Sequence, residues 1–248
     1  MAKAHITFYG ELNFFLPPSK KQVGFDHYFQ DRPSIKDTIE SARVPHPEVA
    51  IILVNGKAVD FSYQIQDEDE IQVYPVSALE KVKPSISVQP EPLAVPRFVL
   101  DIHLGKLATA LRMLGFDTLY QNDYGDEELA KISSTEERIL LTRDRGLLMR
   151  SIVTYAYYVR ATNPTQQLEE VLQRFNLFKL VAPFQRCIRC NGLLEPVSKE
   201  SVIEEIPPNV KHIVDEFHRC LDCGKIYWKG SHVEQMEKFI EKVIESPK

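Results

Sequence analysis

No run of apolar residues in this 248-residue chain approaches the roughly 18 needed to cross a membrane. Its first residues also lack the charged-then-apolar order of a secretory signal. Both absences point to a soluble protein without membrane contact, and the cytoplasm is the expected compartment. Cysteine is scarce: the four residues come as two close pairs, which excludes the scattered framework of a disulfide-stapled secreted domain and agrees with a reducing compartment. A basic excess is missing as well. Thirty Lys+Arg face 35 Asp+Glu, whereas the usual electrostatic footprint of a nucleic-acid binder is a clear positive surplus. Residues 97–248 carry 21 of the basic and 22 of the acidic residues, so that part is near −1 and the first 96 residues near −4. What the chain does have is 44% hydrophobic residues, enough to bury the cores of two modest domains.

The most patterned stretch is 97–149. It opens with an apolar run ending in a carboxylate, Phe98-Val99-Leu100-Asp101. Leu104, Leu107, Ala108, Leu111 and Leu114 then recur at three- and four-residue spacing, one apolar helix face that stops at Gly115. Asp126-Glu127-Glu128 precedes Leu129 and Ile132 as the negative first turn of a second helix. Arg138-Ile139-Leu140-Leu141-Thr142 is another short buried-strand run, followed by Asp144. A further helix at 146–149, a strand at 156–160 and a capped helix from Thr165 complete an expected five-stranded α/β/α domain. In parallel sheets with right-handed crossovers, ligands sit beyond the carboxyl ends of the strands, the edge that Asp101 and Asp144 occupy. Two like charges about 4 Å apart repel by roughly 4 kcal/mol at an effective dielectric near 20. A divalent cation removes that cost, and hard carboxylate ligands suit Mg²⁺ or Mn²⁺. The blander role for each aspartate is a strand-end or N-cap residue.

These motifs, in this order, resemble the Mut7-C ribonuclease domain, a branch of the PIN-like nucleases, over residues 97–241. The resemblance implies a PIN-like three-layer α/β domain that hydrolyses RNA with Mg²⁺ or Mn²⁺. Asp101, Asp126 and Asp144 match the family's metal-binding acidic positions, and Thr142 falls where such domains place a small hydroxyl beside the site. Asp123 and Glu127 are alternatives to Asp126 that spacing does not separate.

Residues 5–76 read as an α+β unit. His5 to Tyr9 alternate as a strand, Gly10 to Asn13 offer a turn, and Phe14-Phe15-Leu16 are expected to begin a second strand. Ser34 caps a helix with Asp37 in its first turn. A continuous apolar strand, 49–54, turns at Asn55-Gly56, a strong hairpin signal. The acidic stretch 67–70 reads as a solvated turn before a closing strand, 71–76. Two strands, a helix and further strands describe a β-grasp. The segment is similar to the ubiquitin-like domain that accompanies Mut7-C nucleases and, more distantly, to the sulfur carriers of thiamine and molybdopterin synthesis. A carrier needs a Gly-Gly terminus, and here the chain runs on through Pro75-Val76-Ser77, so the expected role is scaffolding or binding of a protein partner.

Residues 77–96 contain Pro84, Pro90, Pro92 and Pro96 and read as a semi-rigid linker. Lys106, Arg112 and Arg143, with Arg145 and Arg150, fall near the acidic edge, where they would hold phosphates; salt-bridging with surface glutamates is the alternative.

The second sharp motif is Cys187-Ile188-Arg189-Cys190 and Cys220-Leu221-Asp222-Cys223. Four thiolates are the tetrahedral set of a closed structural Zn²⁺ site. Gly192 and Gly224 follow the pairs where a tight turn exposes N–H groups to sulfur. The long interval between the pairs is tolerable because loop-closure entropy grows slowly. His218 and His232 are not needed as ligands. The resembling family carries such a zinc ribbon ending Ile226-Tyr227-Trp228-Lys229-Gly230-Ser231-His232. Tyr227, Trp228, Lys229 and His232 either stack on single-stranded RNA or, for Trp228, pack the ribbon against the α/β domain. Residues 234–244 read as an amphipathic closing helix.

The expectation is therefore a β-grasp (1–76), a linker (77–96), a PIN-like nuclease (97–182) and a zinc ribbon with closing helix (183–248). A non-catalytic RNA-binding or ribonucleoprotein adaptor on the same scaffold is the alternative.

Overall fold

The computed structural model describes residues 1–228, which fall into two compact units: Met1–Val95 with Gly125–Tyr158, and Pro96–Tyr124 with the chain from Val159 on. Lys229, His232 and the expected closing helix lie outside the described residues.

The first unit begins with β1 (Ala2–Phe8), β2 (Phe25–Phe29), α1 (Ile35–Ser41), β3 (Val49–Val54), β4 (Lys57–Ala58) and β5 (Glu70–Pro75). Their sheet runs β2-β1-β5-β3-β4, with β1 parallel to β5 and the other neighbours antiparallel, the order of a β-grasp. Alternation in β1 buries Ala4, Ile6 and Phe8. The Ser34 hydroxyl accepts from the Asp37 N–H at 3.1 Å and donates to the Asp37 carboxylate at 2.7 Å, so both residues fasten the start of α1. Asn55 (φ 49°) and Gly56 (φ 77°) are both left-handed, the two-residue hairpin their sequence predicts.

Three expectations for this region are corrected. Phe14-Phe15-Leu16 do not begin a strand: Gly10–Phe15 is a 3₁₀ turn that buries Leu12 and Phe15 three residues apart. The Asn13 amide donates to the Phe8 and Gly10 carbonyls and holds that turn. The acidic turn is not wholly solvated, since Asp69 is 3% exposed and accepts from the Asn55 amide, the Tyr63 hydroxyl and the Gln66 N–H. The proline-rich stretch, which opens with the single-turn α2 (Leu79–Val82), is tied down: Val88 N–H and the Ser87 hydroxyl donate to the Ala50 carbonyl, and the Gln89 amide to those of Pro47 and Val49.

From residue 98 the chain alternates strand and helix: β6 (Phe98–Leu100), α3 (Gly105–Met113), β7 (Thr118–Leu119), α4 (Asp126–Thr135), β8 (Ile139–Thr142), α5 (Arg145–Leu148), β9 (Ala156–Tyr158) and α6 (Pro164–Arg174). In the first unit β8 pairs parallel with β9, and in the second β6 pairs parallel with β7. This stretch has four strands among the described residues rather than five. The two-residue β7 has no counterpart among the expected elements because it is too short to alternate. Gly115 (φ 93°) ends α3 as expected, and a Cβ there would collide with the Ala182 carbonyl. Asn163 caps α6 by accepting from the Thr165 and Gln166 N–H groups.

The second unit continues into β10 (Leu194–Val197), α7 (Lys199–Val202), α8 (Pro208–Lys211), β11 (Phe217–Cys220) and β12 (Ile226–Trp228). The strands form an antiparallel sheet in the order β10-β11-β12. The long interval between the cysteine pairs has a core of its own, Val202, Ile206, Val210, Val214 and Phe217. Trp228 packs on that cluster, 6.4 Å from the Phe217 ring. It is part of the cysteine module's own interior.

Candidate functional site

Each expected acidic residue stands where a helical segment begins. Asp101 directly follows β6, is 7% exposed, and accepts from the Ile102 N–H at 2.6 Å to cap the turn that leads into α3. Asp144 lies two residues beyond β8; its Oδ1 accepts from the N–H groups of Gly146 at 2.6 Å and Leu147 at 3.3 Å. Thr142, fully buried at the end of β8, accepts the Asp144 N–H on its hydroxyl at 2.9 Å. Asp126 opens α4, is half exposed, and lies 4.0 Å from the Arg150 guanidinium. Asp123 and Glu127 are exposed. The positive end of each helical segment favours a carboxylate there, and N-capping alone accounts for Asp101 and Asp144. Asp101 belongs to the second unit, Asp126 and Asp144 to the first. Among the described residues, no three carboxylates within either unit converge as metal ligands.

The basic residues divide. Lys106 is exposed in the first turn of α3, and Arg143 is half-buried between Thr142 and Asp144. Arg112 is removed from the phosphate-binding set. It is 5% exposed, and its guanidinium donates to the carbonyls of Thr118 (2.8 Å), Ile188 (3.2 Å), Arg189 (3.1 Å) and Tyr120 (3.4 Å). Burial lowers its pKa, opposed by the Cys187 and Cys190 sulfurs and by Asp117. Its donors are committed to backbone oxygens, so a phosphate would have to displace them.

The cysteines do converge. The four Sγ atoms lie within 4.8 Å of one another, with Cys187 3.6 Å from Cys223 and Cys190 3.4 Å from Cys220. A tetrahedron with Zn–S bonds of about 2.3 Å has edges of about 3.8 Å, so the cluster is compatible with structural zinc. The two halves are built alike. Asn191 N–H donates to the Cys187 carbonyl and Gly224 N–H to that of Cys220, while Cys187 and Cys220 N–H donate to Gly192 and Lys225. The left-handed positions are Asn191 (φ 70°) and Gly224 (φ 71°). Gly192, expected to make the first tight turn, is not left-handed; a Cβ there would meet the exposed Asp222 carboxylate, which would have to swing aside, and lie 3.0 Å from Cys220 Sγ. Burial raises the Cys187 thiol, but the Tyr227 hydroxyl at 3.1 Å and the Cys190 and Arg189 N–H groups outweigh it and hold the pKa at about 6. Burial pushes Cys190 up to about 12.

Sequence reasoning missed the residues that fasten this cluster to the rest of its unit. Asn191 is 7% exposed; its Oδ1 accepts the Thr118 N–H at 2.9 Å and its amide donates to Asp117 at 2.8 Å. The Arg186 guanidinium pairs with the other Asp117 oxygen at 3.3 Å, and Arg112 adds the bonds to Ile188 and Arg189. One signal was available: Asn191 stands where the second pair has Gly224, and asparagine tolerates a left-handed backbone better than most residues.

The family model of the Mut7-C RNAse domain matches residues 96–240, and that of Mut7-C ubiquitin matches residues 1–80. No curated protein and no solved structure matches the chain.

Proposed function

From the premise that the chain belongs to the Mut7-C RNAse family, we propose that it is a metal-dependent ribonuclease with an accompanying ubiquitin-like domain. Family membership over residues 96–240 is the observation that carries this reading. In it, the division 1–76, 77–96, 97–182 and 183–248 separates ubiquitin-like, linker, PIN-like and zinc-ribbon parts, and the protein works in the cytoplasm on RNA. Asp101, Asp144 and one of Asp126, Asp123 or Glu127 hold Mg²⁺ or Mn²⁺. The donor chemistry fits: these are hard carboxylate oxygens, and the capping bonds of Asp144 use Oδ1 alone. When bound, the cation supplies charge to offset the phosphodiester and a more acidic water. Thr142 holds the Asp144 backbone, while Lys106 and Arg143 receive phosphate. Zinc on Cys187, Cys190, Cys220 and Cys223 is structural, because four thiolates leave no open position.

The second reading is an RNA-binding adaptor on the same scaffold. Incubating labelled single-stranded and structured RNA with the purified protein in Mg²⁺, Mn²⁺ or EDTA separates the two. Divalent-dependent cleavage, lost in Asp144→Asn, is the expected result. RNA bound but left intact under every condition establishes the adaptor.

A further inference from the structure

We propose that the ubiquitin-like domain is a working part of the nuclease in cis, with Arg145 as the positioning residue through which it orients Asp144. The catalytic half of this inference rests on the role proposed for Asp144; the structural half does not.

The residue directly after Asp144 is anchored in the ubiquitin-like fold. Arg145 donates from Nη1 to the Phe15 carbonyl at 2.9 Å, and its guanidinium carbon lies 5.3 Å from the Phe15 ring centre and 5.9 Å from that of Phe14. Both rings in turn pack 5.4 Å from the Tyr158 ring, at the end of β9. Two further residues of the ubiquitin-like domain hold the backbone around β9. His46 Nε2 lies 2.8 Å from the Val153 carbonyl, with Nδ1 on the Glu40 carboxylate at 2.7 Å. Buried Glu48 accepts the Tyr158 N–H at 2.7 Å. The α5 helix needs such support because four residues form a single turn, and an isolated turn costs more backbone entropy than its bond returns. The Asp144 carboxylate is oriented only while the Gly146 and Leu147 amides stay in place. An anchored Arg145 fixes that turn from its first residue. This explains why the matched ubiquitin-like segment forms one compact unit with Gly125–Tyr158.

The test compares full-length Arg145→Ala, Arg145→Lys and Tyr28→Ala, the last on a residue 57% exposed on β2. Two readouts are taken: hydrogen exchange at the Gly146 and Leu147 amides, and RNA cleavage split into kcat and KM. Arg145→Ala is expected to accelerate exchange at both amides and lower kcat on the order of tenfold with KM unchanged, the size typical of removing support from a ligand. Arg145→Lys restores part of both, and Tyr28→Ala changes neither. Unchanged amide exchange in Arg145→Ala, or accelerated exchange with unchanged kcat in an active enzyme, overturns the proposal. Accelerated exchange in a protein without cleavage supports the anchor and refutes the nuclease reading instead.

Discussion

The cysteine cluster and the acidic residues are both sets of metal-ligating side chains, yet they are assembled in opposite ways. Each C-x-x-C pair places two sulfurs within one tight turn, so four ligands require only that two turns meet, and the described structure brings all four within 4.8 Å. The acidic residues are drawn from separate elements, and each has a local role: Asp101 and Asp144 cap helical segments, and Asp126 stands in the first turn of α4. Convergence within short turns is a strong signal because little else explains it. Single aspartates at helix starts are a weak one, because capping or the helix dipole explains each of them alone.

Removing one cysteine should have the largest effect. Cys220→Ser leaves three thiolates, and structural zinc is worth on the order of 10 kcal/mol in small modules. Loss of bound zinc, read by metal analysis, should accompany melting of β10–β12 in hydrogen exchange. Retention of one equivalent would break the four-ligand assignment.

Asp144→Asn sharpens the other side of the comparison, because asparagine caps as well as aspartate and only the charge is lost. Thermal stability should stay within about 1 kcal/mol of the wild type, while RNA cleavage falls by at least about a hundredfold. Equal loss of stability and activity would return Asp144 to a capping role alone.

Arg112 marks where the cysteine module is fastened within its own unit. Arg112→Met leaves the carbonyls of Thr118, Ile188 and Arg189 without donors and should cost about 3 kcal/mol, with faster zinc release to a chelator. A stable variant with normal zinc retention would show that the module docks without it.

The smallest effect belongs to Asp26, whose pKa is lowered chiefly by its hydrogen bond with His5. A depressed carboxylate contributes stability above its unfolded pKa near 3.8, and that contribution is lost as pH falls through the folded value. Asp26→Asn should therefore change thermal stability little in acid and lower it only slightly at neutral pH, where an exposed pair is heavily screened.

Legibility followed the range of the interactions involved. The helix face of Leu107 and Leu111, the stop at Gly115, the Asn55-Gly56 hairpin and both cysteine pairs were readable because each is decided within a few residues. The 3₁₀ turn at Gly10–Phe15 was mistaken for a strand because an aromatic run resembles one, and the deciding contacts come from Asn13. Asp69 and Arg112 were misread as surface charges because nothing local marks a charged residue as buried.

The sequence by itself determined the starts and stops of the main helices, the Asn55-Gly56 hairpin and the two C-x-x-C pairs, since capping, periodicity and turn chemistry act over one or two turns of chain. Only the tertiary structure decided what the charged residues do. Burying an ion is costly unless its bonds are completed, and the completing partners lie far away in sequence: the Ile188 and Arg189 carbonyls for Arg112, the Phe15 carbonyl for Arg145 and the Tyr158 N–H for Glu48.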